Sequence, residues 1–161
     1  MCEKLPRIIK NKKKLEKTLN IKITHKGKEI SIDGDAEEEY IAEKIIDALN
    51  IGFPFSTAML IKNEDFLFEV INIKDYTKRK DFETIRARII GKKGKTLKTL
   101  STLTNCYFEL KDNYVGIIGD SDFIKNAQEA VIYLIQGSKQ ANVYAFLEKN
   151  RPQKIIDLGL K

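Results

Sequence analysis

Two glycines with a pair of lysines between them are the residues here best equipped to meet a ligand: Ile89-Ile90-Gly91-Lys92-Lys93-Gly94-Lys95-Thr96. Glycine lets a backbone turn tightly and bring N–H groups against an anion with no Cβ in the way. Lys92 and Lys93 carry the charge to neutralise phosphates as they pass. A helix starting after Gly94 adds the partial positive charge of its N-terminus to the same spot. Together these groups suit a clamp on a linear phosphodiester backbone of about four nucleotides. Gly94-Lys95-Thr96 also matches the end of a nucleotide-binding P-loop, but that pattern needs a further glycine where Ile89 stands. It also needs a preceding parallel strand, whereas Arg86-Ala87-Arg88 reads as helix. The backbone clamp is the reading that fits at every position.

Around the loop, each residue has two readings. Arg86 and Arg88 flank it and reach either RNA or solvent. Lys95 and Thr96 open the next helix, where Thr96 is either a ligand contact or a local cap. Ile90, Leu97 and Leu100 belong to a core, with Ile90 or Leu97 also placed to floor a groove for bases. Tyr107 and Phe108 alternate on a strand, so one faces the core and the other is free to stack on a base. The basic run Lys10 to Lys14 is a solvated face or a track for phosphates. Catalysis finds little support. His25 is the single histidine, and Cys2 and Cys106 make neither a disulfide framework nor a zinc spacing. No nucleophile–base set or metal cluster can be assembled, so the expectation is a non-enzyme that needs no cofactor.

The elements that hold the loop follow from periodicity. Phe66 to Tyr76 alternates as a strand, and Glu83 to Ile90 reads as a short helix. After the loop, Leu97, Leu100 and Leu103 lie at helical spacing within Lys95 to Leu103. Cys106 to Leu110 and Tyr114 to Ile118 are rich in strand formers and flank the turn Lys111-Asp112-Asn113. Gly119-Asp120-Ser121 is expected to break that strand and cap a helix from Phe123 to Gln136, closed by Gly137. A further helix is expected over Ala141 to Arg151, followed by a tail from Pro152.

Sliding the chain by 85 residues without a gap matches it to itself. Leu15 falls on Leu100, Asn20 on Asn105, Ile23 on Phe108, Gly34 on Gly119, Asp35 on Asp120 and Gly52 on Gly137. Matching glycines at two separate turns point to two copies of one unit. Sequence leaves open which of Tyr107 and Phe108 faces the core, though the alignment of Phe108 with Ile23 suggests Phe108. The first copy reads as a helix Lys13 to Leu19, a hairpin Ile21 to His25 and Glu29 to Asp33, and a helix Asp35 to Asn50. Its counterpart of the glycine loop falls on Pro6-Arg7-Ile8-Ile9 or Lys10-Asn11-Lys12-Lys13, neither with a glycine. The expected organisation is therefore an abbreviated unit over 1–52, a connecting helix in 53–65, a complete unit over 66–137, and a C-terminal helix and tail over 138–161. Asp75 to Asp81 has the composition of a mobile loop.

The 161 residues include 29 lysines and arginines against 23 acids, a formal charge of +6, which favours a polyanionic partner without identifying one. An apolar fraction of 42% is enough for a core. The longest apolar runs are far short of a membrane span, and Met1 to Lys17 is lysine-rich with no secretory h-region, so a cytoplasmic protein away from membranes is expected.

The segment Ile89 to Leu100, set in the order strand, helix, glycine loop, helix, strand, strand, helix, resembles a KH domain of type I. More narrowly, Arg86-Ala87-Arg88-Ile89-Ile90-Gly91, Leu103-Thr104-Asn105-Cys106-Tyr107, Gly116-Ile117-Ile118-Gly119 and Gly137 with Val143-Tyr144 resemble the KRR/partner-of-NOB family of ribosome-assembly KH proteins of archaea and eukaryotes. The resemblance implies an α+β fold of two tandem type I KH-like units, each a sheet with helices on one face. It also implies binding of single-stranded RNA near the 3′ end of the small-subunit rRNA, alongside a PIN-domain endonuclease. A protein-interaction module of the translation apparatus is the alternative. RNA binding by the wild type and by a Lys92→Asp/Lys93→Asp variant separates the two.

Overall fold

The computed structural model describes residues 4–151. It begins with helix α1 (Lys4–Leu19), a hairpin of β1 (Lys22–Lys26) and β2 (Glu29–Asp33), and helix α2 (Ala36–Ile51). A connector follows, made of the short helix α3 (Phe55–Ala58) and a 3-10 turn (Met59–Lys62). The second half runs β3 (Phe66–Asn72), α4 (Phe82–Ile90), α5 (Lys95–Thr104), β4 (Tyr107–Lys111), β5 (Tyr114–Asp120), α6 (Ile124–Ile135) and α7 (Gln140–Lys149). β1 and β2 form a two-stranded antiparallel sheet; β3, β5 and β4, in that spatial order, form a three-stranded antiparallel one. The fold class is α+β with a three-stranded sheet and helices, as the sequence predicts.

Strand β5 organises the interior because both of its faces are covered. Val115 and Ile117 point into a core with Ile71, Ile85, Ile89, Leu100, Val131 and Leu134. Ile118, on the alternate face, joins Phe68 in a second core with Leu15, Ile23, Ile45, Leu49 and Phe53. Side chains alternate across a strand, so a strand buried on both sides reads as a continuous apolar run instead of an alternating one. The same double burial explains two glycines. A Cβ on Gly116 would lie 2.9 Å from the Phe53 ring, and one on Gly119 would lie 2.3 Å from Cys106 Sγ.

Several expected boundaries move. β5 runs on through Gly119 to Asp120 instead of breaking at the glycine, because Gly119 continues the pairing opposite Leu67 and is small to admit Cys106. Asp120 does not cap α6: its carboxylate accepts from the Asp122 N–H at 2.9 Å, and the helix starts at Ile124. β3 ends at Asn72, whose side chain accepts from the Lys74 N–H (3.1 Å) and opens a 3-10 turn. Between Asp75 and Asp81 the chain is tied by Arg79, whose N–H reaches Thr77 Oγ1 (3.1 Å) and whose guanidinium pairs with Asp81. The tail from Pro152 lies outside the described residues.

The largest departure is at the start. Neither Pro6 to Ile9 nor Lys10 to Lys13 forms a loop; both lie inside α1, which begins well before the expected Lys13. Lysine, leucine and glutamate are good helix formers, and no glycine interrupts the run. Pro6 sits in the first turn, where its missing N–H costs nothing. Further along, the two halves run in parallel. β1 and β4 start 85 residues apart, as do β2 and β5. Left-handed residues recur at the same offset: Asn20 and Asn105 (φ 53° and 54°), Gly27 and Asp112 (64° and 52°), Gly52 and Gly137 (131° and 101°).

Candidate nucleic-acid interface

α4 ends because Gly91 leaves helical geometry at φ 76°, ψ 171°, while its N–H still donates to the Ala87 carbonyl at 2.8 Å. That conformation is nearly restricted to glycine. A Cβ at Gly91 would also fall 2.1 Å from Thr96 Oγ1 and 2.6 Å from the Thr96 N. Lys93 (φ 57°, ψ 30°) and Gly94 (φ 74°, ψ 12°) are both left-handed, and Gly94 delivers the chain into α5. Nothing lies within 4 Å of where a Gly94 Cβ would be, so that glycine is required by backbone conformation alone. The Gly94 N–H donates to the Gly91 carbonyl at 3.1 Å and the Lys95 N–H to the Lys92 carbonyl. The N–H groups of both glycines are therefore engaged within the chain. Gly91 and Gly94 use theirs to hold the loop rigid, and that rigidity is what presents the lysine side chains.

Lys92 and Lys93 are exposed, as are Lys95 and Lys98 on the first turn of α5. Ile90, 37% exposed at the end of α4, leaves an apolar side chain beside the loop. Along α5, Leu97, Lys98 and Ser101 face Tyr107, Phe108 and Glu109 of β4 across a cleft of about 320 Å³. Its far wall is the connector, through Phe53, Pro54 and Thr57. Tyr107 is 46% exposed while Phe108 packs partly against the core, so the strand alternation resolves as the alignment with Ile23 suggested. The arrangement offers an apolar, aromatic trough beside a cationic loop, which suits unstacked bases with their phosphates held at the rim.

Three of the expected contact residues are used otherwise. Thr96 is only 6% exposed, its hydroxyl packed under Gly91 instead of facing outward. Arg86 donates to Asn113 Oδ1 at 2.6 Å, bracing α4 against the β4–β5 turn. Arg88 donates to the carbonyls of Leu134 (3.2 Å) and Ser138, closing the C-terminal end of α6. Guanidinium groups such as that of Arg88 meet orphan helix-end carbonyls well, and both arginines are half-buried.

Sequence reasoning missed Lys98, Ser101, Glu109 and the connector wall. Lys98 was within reach of it, one helical turn beyond Lys95 and beside Leu97. The connector carried no such signal.

The rest of the site is chemically quiet. Burial pushes the Cys106 thiol up to about 11, leaving it inert beneath β5. Among the described residues, no three histidine, cysteine or acidic side chains are grouped to hold a metal ion. No described helix is long and apolar enough to cross a membrane.

Comparisons with known proteins agree on one family. A family model described as "Eukaryotic type KH-domain (KH-domain type I)", for the second KH domain of PNO1 proteins, matches residues 67–152. A KH domain-containing protein of Methanocaldococcus jannaschii is 32% identical over 156 residues, covering 89% of this chain and 66% of that protein. The pre-rRNA-processing protein PNO1 of Debaryomyces hansenii is 31% identical over 140 residues, covering 83% and 54% respectively. The chain thus spans just under two thirds and about half of these relatives' lengths. Among solved structures, a chain of the a/eIF2α–aDim2p–rRNA complex of Pyrococcus horikoshii superposes with a TM-score of 0.85 at 28% identity, over 94% of this chain and 90% of that one.

Proposed function

Because the chain belongs to the family of type I KH-domain proteins that includes PNO1 and Dim2, we propose that it binds single-stranded RNA at the Gly91–Gly94 loop and serves in maturation of the small-subunit rRNA. The observation that carries this reading is the rigid loop with exposed Lys92, Lys93, Lys95 and Lys98, set at the mouth of the trough between α5 and β4. In it, the four lysines hold phosphates, Gly91 and Gly94 shape the clamp, Ile90 and Leu97 contact bases, and Tyr107 stacks on one. Thr96, Arg86 and Arg88 support the loop from behind.

The recurrence of strand starts and left-handed residues at an offset of 85 supports two tandem KH-like units, 1–52 and 66–137, joined by 53–65 and followed by 138–161. In this reading the first unit is a scaffold without a clamp, since α1 runs straight through the place of the loop. The 3′ region of the small-subunit rRNA, a PIN-domain endonuclease as partner, and a cytoplasmic setting complete the proposal. A role in binding a translation-apparatus protein is the second reading, favoured by the relative solved together with both a/eIF2α and rRNA.

The deciding measurement is RNA affinity of the wild type against Lys92→Asp/Lys93→Asp. Both residues are exposed, so the variant folds, and loss of most single-strand affinity is expected. Unchanged affinity sinks the clamp. Crosslinking to cellular RNA identifies the target.

A further inference from the structure

We infer that RNA held in the trough continues across the connector onto a stripe of lysines on α1, so that the protein grips a longer strand than its glycine loop alone can reach. This rests on the RNA-binding reading above and extends it to a surface that reading leaves unused.

α1 buries Ile8, Leu15 and Leu19 against α2 and β1. On its outer side Lys10, Lys13, Lys14 and Lys17 are all exposed. Their spacing of three, one and three residues puts them on one helical face, a stripe about 10 Å long at about 1.5 Å per residue. The acid nearest them in sequence is turned away, since Glu16 Oε1 accepts the Ile23 N–H at 3.2 Å. Lys10, Lys13 and Lys17 pair with no carboxylate among the described residues. The other described acids of this half lie off α1: Glu29 and Asp33 on β2, Asp35 at the start of α2, and Glu37, Glu38, Glu39, Glu43 and Asp47 along α2. Lysines spread for solubility are interspersed with acids; on the described part of α1 the one acid, Glu16, is turned to the β1 backbone, which leaves the lysine face unopposed and concentrates positive potential there.

The stripe is also joined to the trough. Lys14 Nζ lies 5.7 Å from the centre of the Phe55 ring. Phe55 follows Pro54, and Pro54 and Thr57 form the trough's far wall. Lys62, at the end of the connector, donates to the Thr18 carbonyl at 2.9 Å and fastens the connector to α1. The path from Lys98 over the connector to Lys14 is therefore fixed by packing at both ends.

The test is fluorescence anisotropy on the full chain with random-sequence single-stranded RNA of 5 and 12 nucleotides. The variant is Lys10→Gln/Lys13→Gln/Lys17→Gln, with Lys14 kept because it packs on Phe55. At a salt slope of about 0.7 per phosphate, loss of about two contacts flattens the 12-mer slope by about 1.4 and weakens binding about 25-fold at 0.1 M salt. The 5-mer should bind as to the wild type, and a triple Lys→Arg variant should keep the 12-mer. Wild-type 12-mer affinity in the Gln variant overturns the inference, as does equal loss of both RNAs or recovery only with an acidic peptide in place of RNA. Failure of the clamp reading looks different: Lys92→Asp/Lys93→Asp then keeps the 5-mer while the stripe variant still loses the 12-mer.

Discussion

Replacing Gly91 and Gly94 one at a time by alanine should separate two effects that look alike in the sequence. Both residues have positive φ, 76° and 74°. Gly94 is in the ordinary left-handed well with open space around its Cα. Alanine there costs about 1–2 kcal/mol in conformation, offset by about 0.4–1 kcal/mol from the stiffer unfolded chain. The net loss is about 1 kcal/mol. Gly91 is in a region with a strain cost of about 1–3 kcal/mol for other residues, and its new Cβ would overlap Thr96 Oγ1 at 2.1 Å. Relief of that overlap adds about 1–3 kcal/mol, for a total near 4 kcal/mol and a large share of a typical domain's stability. Urea denaturation of both variants measures the difference. Adding Thr96→Ala should not rescue Gly91→Ala, because the Thr96 Cβ and backbone N remain 2.6 Å away. Equal losses for the two glycines, or full rescue by Thr96→Ala, would refute the steric argument. RNA affinity should follow the same order, with Gly94→Ala nearly normal.

Two further outcomes are expected. Arg88→Met removes the donors to the Leu134 and Ser138 carbonyls. It should destabilise the fold by about 2 kcal/mol, the scale of charge-assisted hydrogen bonds, while leaving the salt slope of RNA binding as in the wild type. A flattened slope would return Arg88 to the RNA surface. Cys106, raised to about 11 from an ordinary value of 9.0, is protonated in the folded protein where an unfolded chain has begun to lose its proton. Its contribution to stability is therefore present below pH 9 and lost as pH rises toward 11. Iodoacetamide at pH 8 should label Cys106 only on unfolding, as read by mass spectrometry of its peptide; rapid labelling of the native protein would contradict its burial.

The elements and the loop were legible because their signals are local. Helical spacing of Leu97, Leu100 and Leu103, strand formers on either side of Lys111-Asp112-Asn113, and Gly91 and Gly94 around two lysines each involve residues a few positions apart. Repetition at 85 residues carried the same signals from one half to the other, down to left-handed Asn20 and Asn105. Tertiary structure decided how those pieces are used. Arg88 looks the same on paper whether it meets RNA or a carbonyl 46 residues away. Gly119 looks like a strand breaker until Cys106 is seen packed against it. The trough's third wall comes from Phe53, Pro54 and Thr57, brought to β4 by a packed connector, with Lys111 Nζ reaching the Asn50 carbonyl 61 residues away. Local periodicity specifies which residues share a face. What that face touches is settled by volume, burial and unsatisfied polar groups across the whole chain, and those become visible only once it has folded.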